Sequence, residues 1–117
     1  MSISFDSFLL SQIIKDFQKG KQEDSFERMK AYIAQYPGDI SAKYNYALMG
    51  QKLGYLNTAK KNYKDVIKKD KNHWQSRNNL YLIYFEEKKY IKSLGLIEEV
   101  LKLKKDYQPV LRDKAHV

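Results

Sequence analysis

The sequence predicts an all-α protein built as a helical repeat, and three observations carry that prediction. Apolar residues recur at i, i+3, i+4 and i+7 rather than in alternation, which is the period of a helix with one buried face. Gly and Pro are sparse, standing at Gly20, Pro37-Gly38, Gly50, Gly54, Gly95 and Pro109, and they separate segments of helix length. Residues of like size also return at a fixed step of 34 along the chain, and a period of that length marks a stack of identical supersecondary units.

The elements follow in order. Leu10, Ile13, Ile14 and Phe17 lie on one face of a first helix, and Phe26, Met29, Ile33 and Tyr36 do the same for a second helix after the break at Lys19-Gly20-Lys21. Both precede Pro37. Asp39 or Ser41 suits the N-cap of a third helix. The step of 34 places Gly20 on Gly54, Ser25 on Ala59 and Ser93, Met29 on Tyr63 and Ile97, and Tyr32 on Val66 and Val100. Three helix-turn-helix units result, residues 6–39, 40–73 and 74–107, within one domain over 1–117. Residues 108–117 begin a fourth unit in phase, a partial seventh helix with Pro109 suited to a first helical turn. Small side chains at 25, 59 and 93 fall where two helix axes approach closely. Tyr32, Tyr63, Tyr84 and Tyr90 fall at helix-packing positions. The pairs Asp24–Arg28, Asp65–Lys69 and Glu98–Lys102 are spaced i, i+4, each worth about 0.2–0.5 kcal/mol. Each hairpin leaves an apolar face that it cannot bury alone, and the next hairpin covers it.

In the middle unit, Ala42-Lys-Tyr-Asn-Tyr-Ala47, Lys52-Leu-Gly54, Ala59, Tyr63 and Val66 resemble the tetratricopeptide repeat, and Pro37 stands at that family's closing proline. The resemblance extends through Tyr107 in three in-phase copies. It departs from the family at Gln12-Ile13, at Tyr81 and Ser93 on the small positions, and at Lys71 and Lys105 in place of the closing proline. The resemblance implies a right-handed array of three hairpins whose first helices line a concave groove for a peptide or helix of a partner. Carried onto this chain, the groove positions are Leu10, Ile14 and Phe17, then Tyr44, Leu48 and Gln51, then Asn78, Leu82 and Phe85. That lining is largely apolar, and each buried anchor contributes about 1.5–3 kcal/mol. The alternative is that these residues cover one another as core. A subset of the family clamps chaperone tails through their C-terminal carboxylate. At the matching positions this chain has Leu10, Ile14, Asn45, Gln75 and Asn79, of which Asn45 alone fits, so the resemblance implies another kind of partner.

Composition and charge bound the function further. The chain has 117 residues, no Cys and a net charge of +8, so neither a disulfide framework nor a thiolate metal site is available. The opening residues lack a basic leader and no segment is apolar enough to span a membrane, which makes a cytoplasmic location the default. The basic excess is 19 Lys against 3 Arg, and Arg is the residue that grips phosphate bidentately, so nucleic acid is disfavoured as a partner. The middle unit carries +6, against −1 for residues 1–39 and +2 for 74–107. Lys60, Lys61, Lys64, Lys68 and Lys69 form a basic patch on its second helix, either a steering surface for an acidic partner or a solvated face that keeps the array soluble. No catalytic residue is assigned. His73 and His116 lack any ligand spacing, Glu86-Glu87 and Glu98-Glu99 diverge on their helices, and no metal or cofactor is implied.

Two further features concern the ends. Phe5, Phe8 and Leu9 lie off the main apolar face of the first helix, and either fold back as a staple or meet a partner. Ile91, Leu94, Leu96, Ile97, Val100, Leu101 and Leu103 make the sixth helix apolar over more than one face. The sequence therefore leaves three readings: a scaffold that binds a protein or peptide segment, a homo-oligomer joined through exposed ends, or an N-terminal module of a longer array or enzyme.

Overall fold

A computed structural model describes residues 5–105, and the expectations for the segment 108–117 (Pro109, Ala115, His116 and the partial seventh helix) lie outside it. Six α-helices follow one another: α1 Ser7–Gln18, α2 Gln22–Gln35, α3 Ile40–Leu53, α4 Leu56–Lys69, α5 Trp74–Glu86 and α6 Tyr90–Leu103. No strand occurs among the described residues. The second helix of each pair starts 34 residues after the last, at Gln22, Leu56 and Tyr90.

The turn inside each pair shows why the period holds so closely. Residues 20, 54 and 88 all adopt left-handed backbone, with φ of 104° at Gly20, 87° at Gly54 and 61° at Lys88. After each of them the chain makes the same pair of bonds. Lys21 N–H donates to Asp16 C=O, Tyr55 to Gly50 and Lys89 to Tyr84, at 2.8–3.0 Å, while the left-handed residue itself donates to Phe17, Gln51 or Phe85. This is the reversal that satisfies the last carbonyls of a helix, and glycine adopts it without the Cβ penalty. The third copy uses lysine and carries that strain. The helix starts are also alike. Asp6 accepts from Leu9 N–H at 3.0 Å, Asp39 from Ala42 N–H at 3.1 Å, and His73 Nδ1 from Ser76 N–H at 3.2 Å. Of the two caps foreseen for α3, Asp39 serves.

Of the repeat positions read from the sequence, Gly20 and Gly54 lie in exposed turns and the other three series are interior. Ser25, Ala59 and Ser93 are fully buried, as are Met29, Tyr63 and Ile97, and Tyr32, Val66 and Val100. Ser25 Oγ finds no hydrogen-bond partner among the described residues, whereas Ser93 Oγ donates to the Tyr81 carbonyl at 3.4 Å, so what the three residues share is small size.

The chain divides within α4 into two compact units, one up to Asn62 and one from Tyr63 onward. In the first, α2 packs against both α1 and α3, and α1 also touches α3. Its core joins Ile13 and Phe17 of α1, Phe26, Met29 and Tyr32 of α2, and Ala42, Tyr46 and Met49 of α3. Phe26 stacks on Tyr46 with ring centroids 4.5 Å apart and meets Tyr55 at 5.2 Å. Gly50 lies against this cluster, where a Cβ would stand 3.5 Å from Phe26 and from the Tyr55 carbonyl, an ordinary contact distance that a small side chain could occupy. In the second unit α5 and α6 form a hairpin around Tyr81, Ile97 and Val100, with Trp74, Leu82, Phe85, Leu96 and Leu101 packed against them.

Three expectations about side chains come out differently or only in part. Tyr90 is 44% exposed rather than interior, with its ring edge against Phe85 at 5.5 Å. It is the first residue of α6, where one turn of helix cannot yet be covered by α5. Phe5 packs not as a staple on its own helix but edge-on to Tyr36 at the end of α2, at 6.2 Å, while Phe8 stays exposed. Asp24 lies 3.8 Å from Arg28, but the closer partner of Arg28 is Asp16 across the α1–α2 interface, at 2.7 Å. That contact holds the Asp16 carboxyl below the usual carboxylate range.

Candidate partner-binding surface

The nine expected groove positions distribute as follows. On α1, Leu10 and Ile14 are half-buried at the edge of the first core, whereas Phe17 is 5% exposed and is a core residue, with Lys52 Nζ 6.0 Å from its ring centre. On α3, Tyr44, Leu48 and Gln51 are half-buried. In the second unit, Asn78, Leu82 and Phe85 of α5 are half-buried, Leu82 and Phe85 resting on the second core. Asn78 Oδ1 is buried without a hydrogen-bond partner among the described residues. Eight of the nine thus keep part of their surface open, and such partly covered apolar side chains gain by further burial. Asn45, the one residue matching a carboxylate clamp, spends its amide N–H on the Ser41 carbonyl at 2.8 Å.

The lysines of α4 point mostly to solvent. Lys61, Lys64, Lys68 and Lys69 are exposed and Lys60 is half-buried. Lys64 Nζ stands 5.7 Å from the ring centre of Tyr84, with Lys89 and Lys92 at 6.0 and 5.4 Å from the same ring. At the start of α6 a second apolar surface remains open among the described residues, comprising Tyr90, Leu94 and, at 90% exposure, Ile91.

Groups with perturbed ionisation are structural in their contacts. Tyr32 donates its hydroxyl to Asp39 Oδ2 at 2.9 Å; burial and then this bond raise its pKa to about 12. Burial pushes Tyr46 up, and Tyr55 rises through its bond to Glu23, 3.1 Å from either carboxylate oxygen. His73 is pushed down, chiefly by burial, while it caps α5. Among the described residues no three His, Asp or Glu converge on a common metal position, and no helix is long and apolar enough to cross a membrane.

Three features were not legible in the sequence: the Tyr32–Asp39 bond, the Arg77–Glu99 pair at 2.9 Å and the left-handed Lys88. The last had a signal, since 88 is the third member of the series begun by Gly20 and Gly54.

The arrangement defines an all-α protein made of 34-residue helical hairpins. Comparison with solved structures identifies the fold. A tetratricopeptide repeat protein from Parabacteroides merdae ATCC 43184 superposes with a TM-score of 0.82 at 15% identity, over 87% of this chain and 40% of that one. MamA AMB-1 gives a TM-score of 0.87 at 16% identity, over 97% of this chain and 68% of that one. The first TPR of Spaghetti (RPAP3), solved bound to the HSP90 peptide SRMEEVD, gives 0.83 at 15% identity, over 98% and 94%. The fold of this chain is the tetratricopeptide-repeat fold. The chain spans about two fifths of the first of these proteins and two thirds of the second. No family model and no curated protein matches the sequence.

Proposed function

We propose that the chain is a protein-interaction module, a scaffold without catalytic activity of its own, whose partner segment docks on the first helices of the repeats. The observation that carries this reading is the set of half-buried apolar side chains on those helices, Leu10 and Ile14 on α1 and Tyr44 and Leu48 on α3. The structural neighbour bound to an HSP90 peptide supports it, as a chain of this fold that holds a peptide. The partner differs in kind from that peptide. Leu10 and Ile14 stand where a clamp needs cations, so the segment is anchored by apolar side chains rather than by a terminal carboxylate. Affinity then comes from buried anchors less the entropy of ordering the segment.

The test compares proteins retained from nuclease-treated native lysate by the wild type, by Ile14→Glu/Tyr44→Glu/Leu82→Glu, and by a variant with Lys60, Lys61, Lys64, Lys68 and Lys69 changed to Gln. Helicity is checked for each by circular dichroism. Loss of a partner in the first variant and its retention in the second supports the reading. The reverse pattern overturns it and assigns binding to the lysine face.

A second reading rests on Ile91. Self-association through the open apolar surface of α6 predicts a mass that rises with concentration and reverts to the monomer in Ile91→Glu.

A further inference from the structure

The turn from α5 into α6 departs from the other two hairpins in a single direction. Residues 88–92 read Lys-Lys-Tyr-Ile-Lys, where the same five places hold Gly-Lys-Gln-Glu-Asp at 20–24 and Gly-Tyr-Leu-Asn-Thr at 54–58. The charge of the segment is thus +3, against −1 and 0 in its counterparts. Lys88 holds a φ of 61° at the place of Gly20 and Gly54, so a cation stands there at the expense of backbone strain. Ile91 is 90% exposed and touches little of its own chain. A following hairpin would not cover it, because its counterparts Glu23 and Asn57 stay exposed although further helices follow them.

These residues act on one surface. Residues 88–92 together line an open hollow of about 430 Å³, with Leu94 exposed one turn further on. Lys64 of α4 joins Lys89 and Lys92 around the Tyr84 ring. Glu86 and Glu87 are the acidic groups at the end of α5, and Glu87 lies 3.7 Å from Lys89 Nζ. Four lysines therefore face two glutamates around an apolar point.

The complement of such a corner is an apolar medium beneath a layer of negative charge. A second copy of the chain fits poorly, since it would bring the same four lysines against these. An acidic protein segment would match the charge, but specific carboxylates are gripped by the arginine fork, and residues 86–92 contain no arginine. Lysine is a hydrated point charge on a long apolar stem, suited to a diffuse anionic field while the stem lies along an apolar boundary.

We propose that the α5–α6 turn is a docking site for an anionic phospholipid bilayer. Ile91 enters the acyl boundary, Tyr90 lies at the level of the headgroups, and Lys64, Lys88, Lys89 and Lys92 stand over the phosphates. This site is separate from the partner-binding residues of α1 and α3, so either can fail without the other.

The test sediments the full chain with vesicles of phosphatidylcholine alone, or of phosphatidylcholine with one third phosphatidylglycerol, across a salt series. Binding is expected to the anionic vesicles only and weakens as salt rises. Lys88→Gly is expected to weaken it about fivefold, the effect of one lysine near an anionic surface, and Lys88→Gly/Lys92→Gln about 10- to 30-fold. Lys88→Gly also relieves strain, so its urea midpoint rises and the lost binding is not unfolding. Ile91→Asn takes the residue of the second repeat, keeps every charge, and is expected to weaken binding by about 10-fold or more. Lys15→Gln/Lys30→Gln removes two charges from the first unit and is expected to change affinity by less than about threefold. Equal binding to neutral vesicles, an equal loss in the Lys15/Lys30 variant, or full retention in Ile91→Asn overturns the proposal. A mass that rises with concentration and reverts to the monomer in Ile91→Asn overturns it in favour of a second copy. Tighter binding to a soluble polyglutamate peptide than to the anionic vesicles overturns it in favour of an acidic protein.

Discussion

Replacing Asp39 tests the local logic of the fold at its most heavily used residue. Its carboxylate is buried between α2 and α3, where Oδ1 accepts from Ala42 N–H at 3.1 Å and Oδ2 from Tyr32 Oη at 2.9 Å. Asp39→Ala removes an N-cap, which costs about 0.5–2 kcal/mol, and strands a buried phenol hydroxyl, which costs a further 1–3 kcal/mol. The expected loss is about 2–4 kcal/mol, a large part of the 5–15 kcal/mol that stabilises a small protein. Asp39→Asn keeps an acceptor for either donor and should lose about half as much, the part due to charge assistance. Urea unfolding followed by helical circular dichroism measures both, and a loss of this size moves the midpoint by about 1–2 M. Adding Tyr32→Phe closes a double-mutant cycle, because in that background the stranded hydroxyl is gone and Asp39→Ala should cost about 1 kcal/mol less or better. Additive effects, or an Asp39→Ala loss below about 1 kcal/mol, would refute the shared-carboxylate account.

Three further outcomes are expected. Tyr32 has its pKa raised to about 12 in the folded state against 10 for the free side chain, so the folded state holds its proton more tightly; its contribution is complete below pH 10 and is lost as pH rises toward 12, and the thermal midpoint of the wild type should drop over that window more steeply than that of Tyr32→Phe. His73 is shifted the other way, so its contribution is complete above its ordinary pKa of 6.5 and is lost as pH falls below it; a melting series from pH 7.5 to 5 should decline in the wild type and flatten in His73→Asn, which keeps a capping acceptor that does not titrate. Lys88 occupies the left-handed position that Gly20 and Gly54 fill in the other repeats, so Lys88→Gly should stabilise by about 0.5–1 kcal/mol while Gly54→Ala costs about 1–2 kcal/mol, both read from urea midpoints.

Much of the fold was legible because its signals are local. The helix period, the Asp39 cap and the Gly20 and Gly54 turns depend on residues within a few positions of one another, and the 34-residue step repeats them. The interior positions 25, 59 and 93 followed from the same step, since equivalent places in a repeated hairpin face equivalent neighbours. The candidate surface was legible only as a set of positions. Its nine residues were named from the repeat, but the sequence could not separate Phe17, which the core takes, from Leu10 and Ile14, which keep an open edge. That difference is set by side chains on other helices, such as Phe26 and Tyr46, which share the core with Phe17.

What the sequence determined alone is the helical class, the 34-residue step and the interior series that begin at positions 25, 29 and 32, because each rests on periodicity and on contacts that repeat from one hairpin to the next. Only the tertiary structure decided that Arg28 prefers Asp16 over Asp24, that Tyr32 closes on Asp39, and that Arg77 is buried against Glu99 with a donor to spare. Those pairings join residues 7 to 22 positions apart, or choose between near and distant partners, and their energies depend on burial and dielectric. Neither quantity exists until the helices have packed.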